Sequence, residues 1–191
     1  LAVRDLPGTN ILGHGQRVVI PSRALGELQR LLNHGDEVTL CLAEQRATFT
    51  VGNATLSTNL LQVEFPNYRQ LIQPSYPNTL TVAREPFLEA VRRCRIFARE
   101  TTPVRLEMTA TALKLSVITQ DIGNSEEELD CSLVGTEMIV GFNPEYLAAG
   151  IEAVSGDEIT IETTDPQRPA VLRGVGANDY LYLVMPQRLT V

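Results

Sequence analysis

Met138-Ile139-Val140-Gly141-Phe142-Asn143-Pro144-Glu145-Tyr146-Leu147 contains the change of period that decides the fold. Met138–Phe142 is a short apolar run of strand length. Asn143 followed by Pro144 then reads as a helix start. The Asn side chain can accept from the free N–H groups of the first turn, and proline lacks the N–H that would be orphaned there anyway. The spacing predicts a helix through Tyr146, Leu147, Ile151 and Val154. Strands are expected at 158–163, 170–173 and 180–185, which makes the unit β-α-β-β-β.

The same unit recurs upstream. Thr79–Ala83 leads, Glu85-Pro86 opens a helix with Leu88, Val91, Cys94 and Ala98 inward, and strands follow at 104–109, 112–119 and 125–134. Earlier still, Arg17–Ile20 leads and Pro21-Ser22 opens a helix with Leu25, Leu28, Leu31 and Leu32 on one face. His34-Gly35-Asp36 ends that helix, and strands at 37–42, 46–51 and 54–60 are split by turns such as Gly52-Asn53. A period of roughly 55–65 residues points to repeated supersecondary units. Each helix can cover one face of its sheet, so the class is α+β, with helices on one face of antiparallel sheets. Pro66, Pro74 and Pro77 mark an extended connector. The expected organisation is 1–67, a connector at 68–77, and 78–191. Leu1-Ala2-Val3-Arg4-Asp5 reads as the middle of a strand, and the odd number of units leads us to expect a piece upstream.

The last stretch, Asp179-Tyr180-Leu181-Tyr182-Leu183-Val184-Met185-Pro186-Gln187-Arg188-Leu189, begins as an apolar strand. Pro186 has no N–H to donate, so the ladder is expected to stop there. Apolar side chains beside such an end suggest a covered or used surface.

The chain has 191 residues, 43% of them hydrophobic, which is enough for a core. No apolar run approaches a membrane span. Cys41, Cys94 and Cys131 are odd in number and widely spaced, so we expect buried thiols and neither a disulfide framework nor a zinc site. The net charge of −7 argues against broad nucleic-acid contact, but its distribution is uneven. Arg84, Arg92, Arg93, Arg95 and Arg99 cluster around one predicted helix, and Lys114 is the only lysine.

Three stretches carry a resemblance: Phe65-Pro66-Asn67-Tyr68-Arg69, Gly141-Phe142-Asn143-Pro144-Glu145-Tyr146, and Tyr182-Leu183-Val184-Met185-Pro186-Gln187-Arg188-Leu189. In order and spacing the chain resembles the bacterial beta sliding clamps, the processivity subunits (DNA polymerase III beta) of the replicative polymerase. The likeness runs over essentially the whole chain. It implies a DNA-clamp fold, with residues 1–67 as the rear half of a middle domain and 78–191 as a third domain. It implies a non-catalytic cytoplasmic protein, associated with the nucleoid during replication and needing no cofactor. Two full-length subunits would close a ring around double-stranded DNA without reading sequence, and a chain of this span would not close one alone. Replicative and repair polymerases, the clamp loader, and mismatch-repair and ligase-type proteins would dock through short peptides.

The resemblance places the peptide site at Leu1, Pro66, Gln70, Leu71, Asn143, Tyr146, Arg168, Ala170, Leu183, Val184, Met185, Pro186 and Arg188. Independently of it, Leu71, Leu183, Val184 and Met185 are apolar, methionine adapts to varied ligands, and the prolines provide rigid walls. There are departures: the family often has Arg where Gln70 stands and Met where Gln187 stands, and Thr190-Val191 extend past the usual terminal Leu. These motivate a second reading, a clamp paralogue with altered partners.

Arg92, Arg93 and Arg99 lie off the apolar stripe, and Arg23 opens the first helix. They are either a solvated basic face or a DNA-facing set that meets phosphates without reading bases. The third helix carries Glu145 and Glu152 and no basic residue. Ile96 and Phe97 fall outside the stripe, which suggests either an interface or a wider buried face. The resemblance puts them at the seam between subunits. For catalysis there is no nucleophile elbow, no phosphate loop and no metal spacing. His14 and His34 fall in turns, and Glu126-Glu127-Glu128 reads as a solvated strand edge. An α+β enzyme whose site escapes these motifs is the remaining alternative.

Overall fold

β1 (Ala2–Arg4) opens the chain in a computed structural model that describes residues 1–6, 17–99, 102–119 and 123–189. His14, Thr190 and Val191 lie outside the described residues. The chain divides into a smaller unit, Pro7–Tyr68, and a larger one, Leu1–Leu6 with Arg69–Val191.

The smaller unit holds α1 (Ser22–Leu31), a 3₁₀ turn at Leu32–His34, and β2 (Val38–Leu42), β3 (Arg46–Val51) and β4 (Ala54–Asn59). The strands form an antiparallel sheet in that order. Gly52, at φ 55, makes the tight β3–β4 turn, a left-handed position where glycine pays no Cβ penalty. Ala47, Phe49 and Val51 alternate inward from β3 and are buried with Ala24 of α1. Three expectations change here. Arg17–Ile20 lies outside the sheet: Pro21 follows it, and a hydrogen bond from Leu61 N–H to Val19 O (2.8 Å) holds it. Of the leucine face of α1, Leu25 and Leu32 are exposed, because a three-stranded sheet buries only a narrow stripe of a helix. Cys41 is also exposed.

The larger unit runs β5 (Asn78–Ala83), α2 (Arg84–Phe97), β6 (Val104–Met108), β7 (Ala112–Thr119), β8 (Gly123–Val134), β9 (Met138–Phe142), α3 (Pro144–Glu152), β10 (Glu158–Thr163), β11 (Ala170–Gly174), β12 (Tyr180–Val184) and β13 (Pro186–Gln187). With β1 these strands follow the spatial order β1-β12-β11-β10-β5-β8-β7-β6-β9-β13. β8 joins the two halves of this arrangement. Its residues Gly123–Asp130 pair with β7 and its residues Cys131–Val134 pair with β5.

The core follows the period of two. Val104, Leu106 and Met108 of β6 and Leu113, Leu115 and Val117 of β7 all point inward. α2 contributes Phe87, Leu88, Ala90, Val91 and Cys94, and α3 contributes Leu147, Ala148 and Ile151. Ala98 was expected on the helix but follows its end. Asn143 caps α3, its Oδ1 accepting from Glu145 N at 2.9 Å and Tyr146 N at 3.2 Å. Buried Asn78 ties three segments together. Its Nδ2 donates to Thr163 O at 3.1 Å and Thr164 O at 3.0 Å, and its Oδ1 accepts from Thr136 N at 2.7 Å. The architecture is α+β, with both long helices packed on the antiparallel strands.

Candidate functional site

The alternation of β12 sends its residues to two places. Tyr180, Tyr182 and Val184 pack with the main core, while Leu181 and Leu183 join Val171 in a small cluster flanked by Val3, Ile72 and Tyr76. The β12 ladder with β11 ends at Val184. Strand structure was expected to stop at Pro186 because it lacks an N–H, but it does not. The chain crosses to the other half of the arrangement and resumes as β13, with Pro186 opposite Phe142 and Gln187 opposite Gly141. Met185 sits at the crossing, 57% exposed.

Other elements of the same unit close around it. Leu1 is held by paired backbone hydrogen bonds, Leu1 N to Leu183 O at 2.9 Å and Leu183 N to Leu1 O at 2.8 Å. Leu71 comes from a 3₁₀ turn at Tyr68–Leu71, and Asn143 and Tyr146 come from the start of α3. The result is an open cavity of about 490 Å³, lined by Leu1, Leu71, Asn143, Tyr146, Tyr182, Leu183, Val184, Met185, Pro186 and Gln187. Tyr146, expected both on the helix and in the site, is 63% exposed and forms a wall of the cavity. A mostly apolar cleft with a few polar groups is the usual form of a ligand site.

Eight of the expected site residues therefore come together. Ala170 lies beneath them, buried and paired with Val184. Gln70, Arg168 and Arg188 are exposed residues of the same unit that do not line the cavity. Arg168 instead pairs with Asp165, Nε to Oδ2 at 3.2 Å. Pro66 belongs to the smaller unit. Tyr182 and Gln187 line the cavity but were not among the expected site residues. Counting by twos from Val184 would have put Tyr182 on the α3 side. Burial, and then Tyr146, push the Tyr182 hydroxyl above its usual pKa. Gln187 Oε1 is shut off from solvent with no hydrogen-bond partner among the described residues.

The arginines of α2 are largely occupied. Arg92 pairs with Glu89 (2.8 Å) and Glu152 (2.9 Å), Arg93 with Glu127 (2.7 Å), and Arg95 with Glu145. The hydrogen bonds that Arg92 donates to Glu89 and Arg93 to Glu127 raise the pKa of each arginine. Arg99 lies beyond the helix end and Arg23 lies on α1; both are exposed, with no ion pair among the described residues. Glu127 is not the solvated edge we expected. It sits on the half-buried side of β8, and its hydrogen bond from Arg93 lowers its pKa.

Ile96 and Phe97 separate: Ile96 is 75% exposed, while Phe97 is partly buried against the core. Burial raises the thiol pKa of Cys94 and Cys131. Among the described residues no group of three or more His, Cys, Asp or Glu could hold a metal, and no helix is long and apolar enough to cross a membrane.

β-α-β-β-β units whose helices pack on antiparallel strands, ending in an apolar cavity at the last strand, define a domain of the DNA-clamp class. Residues 69–188 match the family described as DNA polymerase III beta subunit, C-terminal domain, and residues 1–67 match the central domain of the same subunit. The chain belongs to the DNA polymerase III beta subunit family, the beta sliding clamps. The beta sliding clamp of Streptomyces coelicolor is 30% identical over 90% of this chain and 49% of its own length. That of Synechococcus elongatus is 32% identical over 90% and 48%. A sliding clamp from Bartonella birtlesii, solved bound to griselimycin, superposes with TM-score 0.88 at 30% identity, over 98% of this chain and 51% of that one. The chain spans about half the length of the curated relatives it matches.

Proposed function

We propose that this chain is the partner-docking part of a sliding clamp, a non-catalytic processivity factor that encircles double-stranded DNA and tethers polymerases, repair proteins and the clamp loader by short peptides. The observation that carries the reading is the cavity at the β12–β13 crossing. Its exposed Met185 and rigid Pro186 stand beside Tyr146, Leu71 and Leu183, a surface suited to leucine and aromatic anchors. A relative with this fold was solved bound to griselimycin, which makes that compound a direct probe. Titrating this chain with griselimycin and with a labelled Gln-Leu-Ala-Leu-Phe peptide tests the reading. Mutually exclusive binding, lost on Met185→Ala, supports it; no binding of either refutes it.

Pro66, Gln70, Arg168 and Arg188 would contact parts of the peptide outside the cavity, over Ala170 and Val184 as its floor. The boundary between the central and C-terminal domains falls in the 68–77 connector. Arg23, Arg92, Arg93 and Arg99 would face DNA, and Ile96 with Phe97 would meet a second subunit. Processivity then comes from topology: a closed ring cannot leave DNA sideways, so phosphate contacts can be weak. The protein would work in the bacterial cytoplasm.

A second reading, a clamp paralogue with altered partners, is favoured by one observation. Gln187 adds a polar amide beside the apolar Leu183, Val184, Met185 and Pro186 of the lining, with Oε1 unpartnered among the described residues.

A further inference from the structure

Gly150 meets Tyr182 across α3. A Cβ placed on Gly150 would stand 2.4 Å from Cδ1, 2.7 Å from Cε1 and 2.9 Å from Cγ of the Tyr182 ring. Carbon atoms in contact keep about 3.5–4.0 Å, so an alanine and this ring cannot both hold these positions. Gly150 lies inside the helix, where glycine is less favourable than alanine because it gives up more backbone freedom. It is not among the glycines with positive φ, so backbone conformation does not explain its presence. Close approach of the ring does. Tyr146 stands four residues earlier on the same helix face, and both tyrosines line the cavity.

We propose that Gly150 is a positioning residue of the cavity: by letting the Tyr182 ring seat on α3, it keeps open the space that receives a large apolar anchor of a docked peptide. The proposal rests on the reading of the cavity as a peptide site. A methyl at position 150 pushes the ring off the helix and into the space it lines. Large anchors then lose room, while small ones do not.

The test compares two labelled peptides, Gln-Leu-Ala-Leu-Phe and Gln-Leu-Ala-Leu-Ala, by fluorescence polarisation, with melting temperature recorded for each protein. The unaltered chain should prefer the Phe-ended peptide. In Gly150→Ala that peptide should weaken by about tenfold or more, the scale of a one-carbon misfit in an apolar pocket. The Ala-ended peptide should hold its affinity, so the preference collapses without a matching loss of stability. Gly150→Ala with Tyr182→Ala removes every ring atom that the new methyl would meet and should regain the Phe-ended peptide. That double variant also serves if Gly150→Ala alone does not fold, since its folding and binding would then report the clash directly. An unchanged preference in Gly150→Ala, equal weakening of both peptides, or a double variant that stays unable to bind overturns the proposal. If the unaltered chain binds neither peptide, the peptide-site reading falls first and takes this inference with it.

Discussion

Arg93 grips Glu127 with two hydrogen bonds, Nε to Oε1 at 2.7 Å and Nη2 to Oε2 at 2.9 Å, joining α2 to the half-buried side of β8. With Arg92 on Glu152 and Arg95 on Glu145, much of the basic charge of α2 is answered inside the same unit. A cluster that looks like a phosphate-binding face in the sequence is therefore a set of charges already partly spent.

DNA contact should accordingly be weak and adjustable. Glu127→Gln removes the carboxylate and frees Arg93 for a phosphate. Binding of a labelled duplex should tighten, and the slope of log affinity against log salt should steepen by about 0.9 for one added phosphate contact. An unchanged slope, measured by anisotropy across a salt series, would remove Arg93 from the DNA-facing set.

The same pair sets a pH dependence. Folding lowers the Glu127 pKa through its bond from Arg93, so its contribution is present above the unfolded carboxylate value. It is lost as pH falls through the lower, folded value. Glu127→Gln should flatten the acid limb of stability, by no more than about 1 kcal/mol because Arg93 is half exposed. Denaturant melts from neutral to acid pH read this directly, and identical acid limbs would contradict it.

Leu183 in β12 and Met185 just beyond it should behave oppositely. Leu183 is 5% exposed, so Leu183→Ala should cost about 2–5 kcal/mol of stability. Met185 projects from the crossing, and Met185→Ala should lower peptide affinity while leaving the denaturation midpoint nearly unchanged. Equal losses of stability and binding in Met185→Ala would make it a core residue.

Gln187→Met should stabilise the chain and tighten apolar peptides. It removes an acceptor held from water without a partner, a state that costs about 1–3 kcal/mol. Weaker binding of the apolar peptide would show instead that the amide contributes to recognition.

Much of this was legible because strand and helix periods were clean. The β-α-β-β-β order of the two downstream units follows from alternation in Val104–Met108 and Ala112–Thr119 and from the Asn143-Pro144 start. The leading strand at Arg17–Ile20 was not, since apolar residues beside a proline do not reveal whether a neighbour strand exists to pair with. In the site, Leu71, Leu183 and Met185 could be named from their chemistry and the resemblance. Tyr182 was within reach of the strand alternation, but its contact with Gly150 was not, because a ring lying on a bare Cα is a tertiary contact 32 residues apart with no local pattern. The Arg–Glu pairs were hidden for the same reason: Arg93 and Glu127 are 34 residues apart, and composition gives only their sum.

The most direct test uses the chain's three methionines, which give three methyl signals when carbon-13 labelled. Met108 is buried in the core, Met138 is partly buried against it, and Met185 stands in the cavity. On titration with Gln-Leu-Ala-Leu-Phe, the Met185 signal should move saturably while Met108 and Met138 stay in place. A Met185 signal that does not move at saturating peptide, or shifts confined to Met108 and Met138, would contradict the docking site.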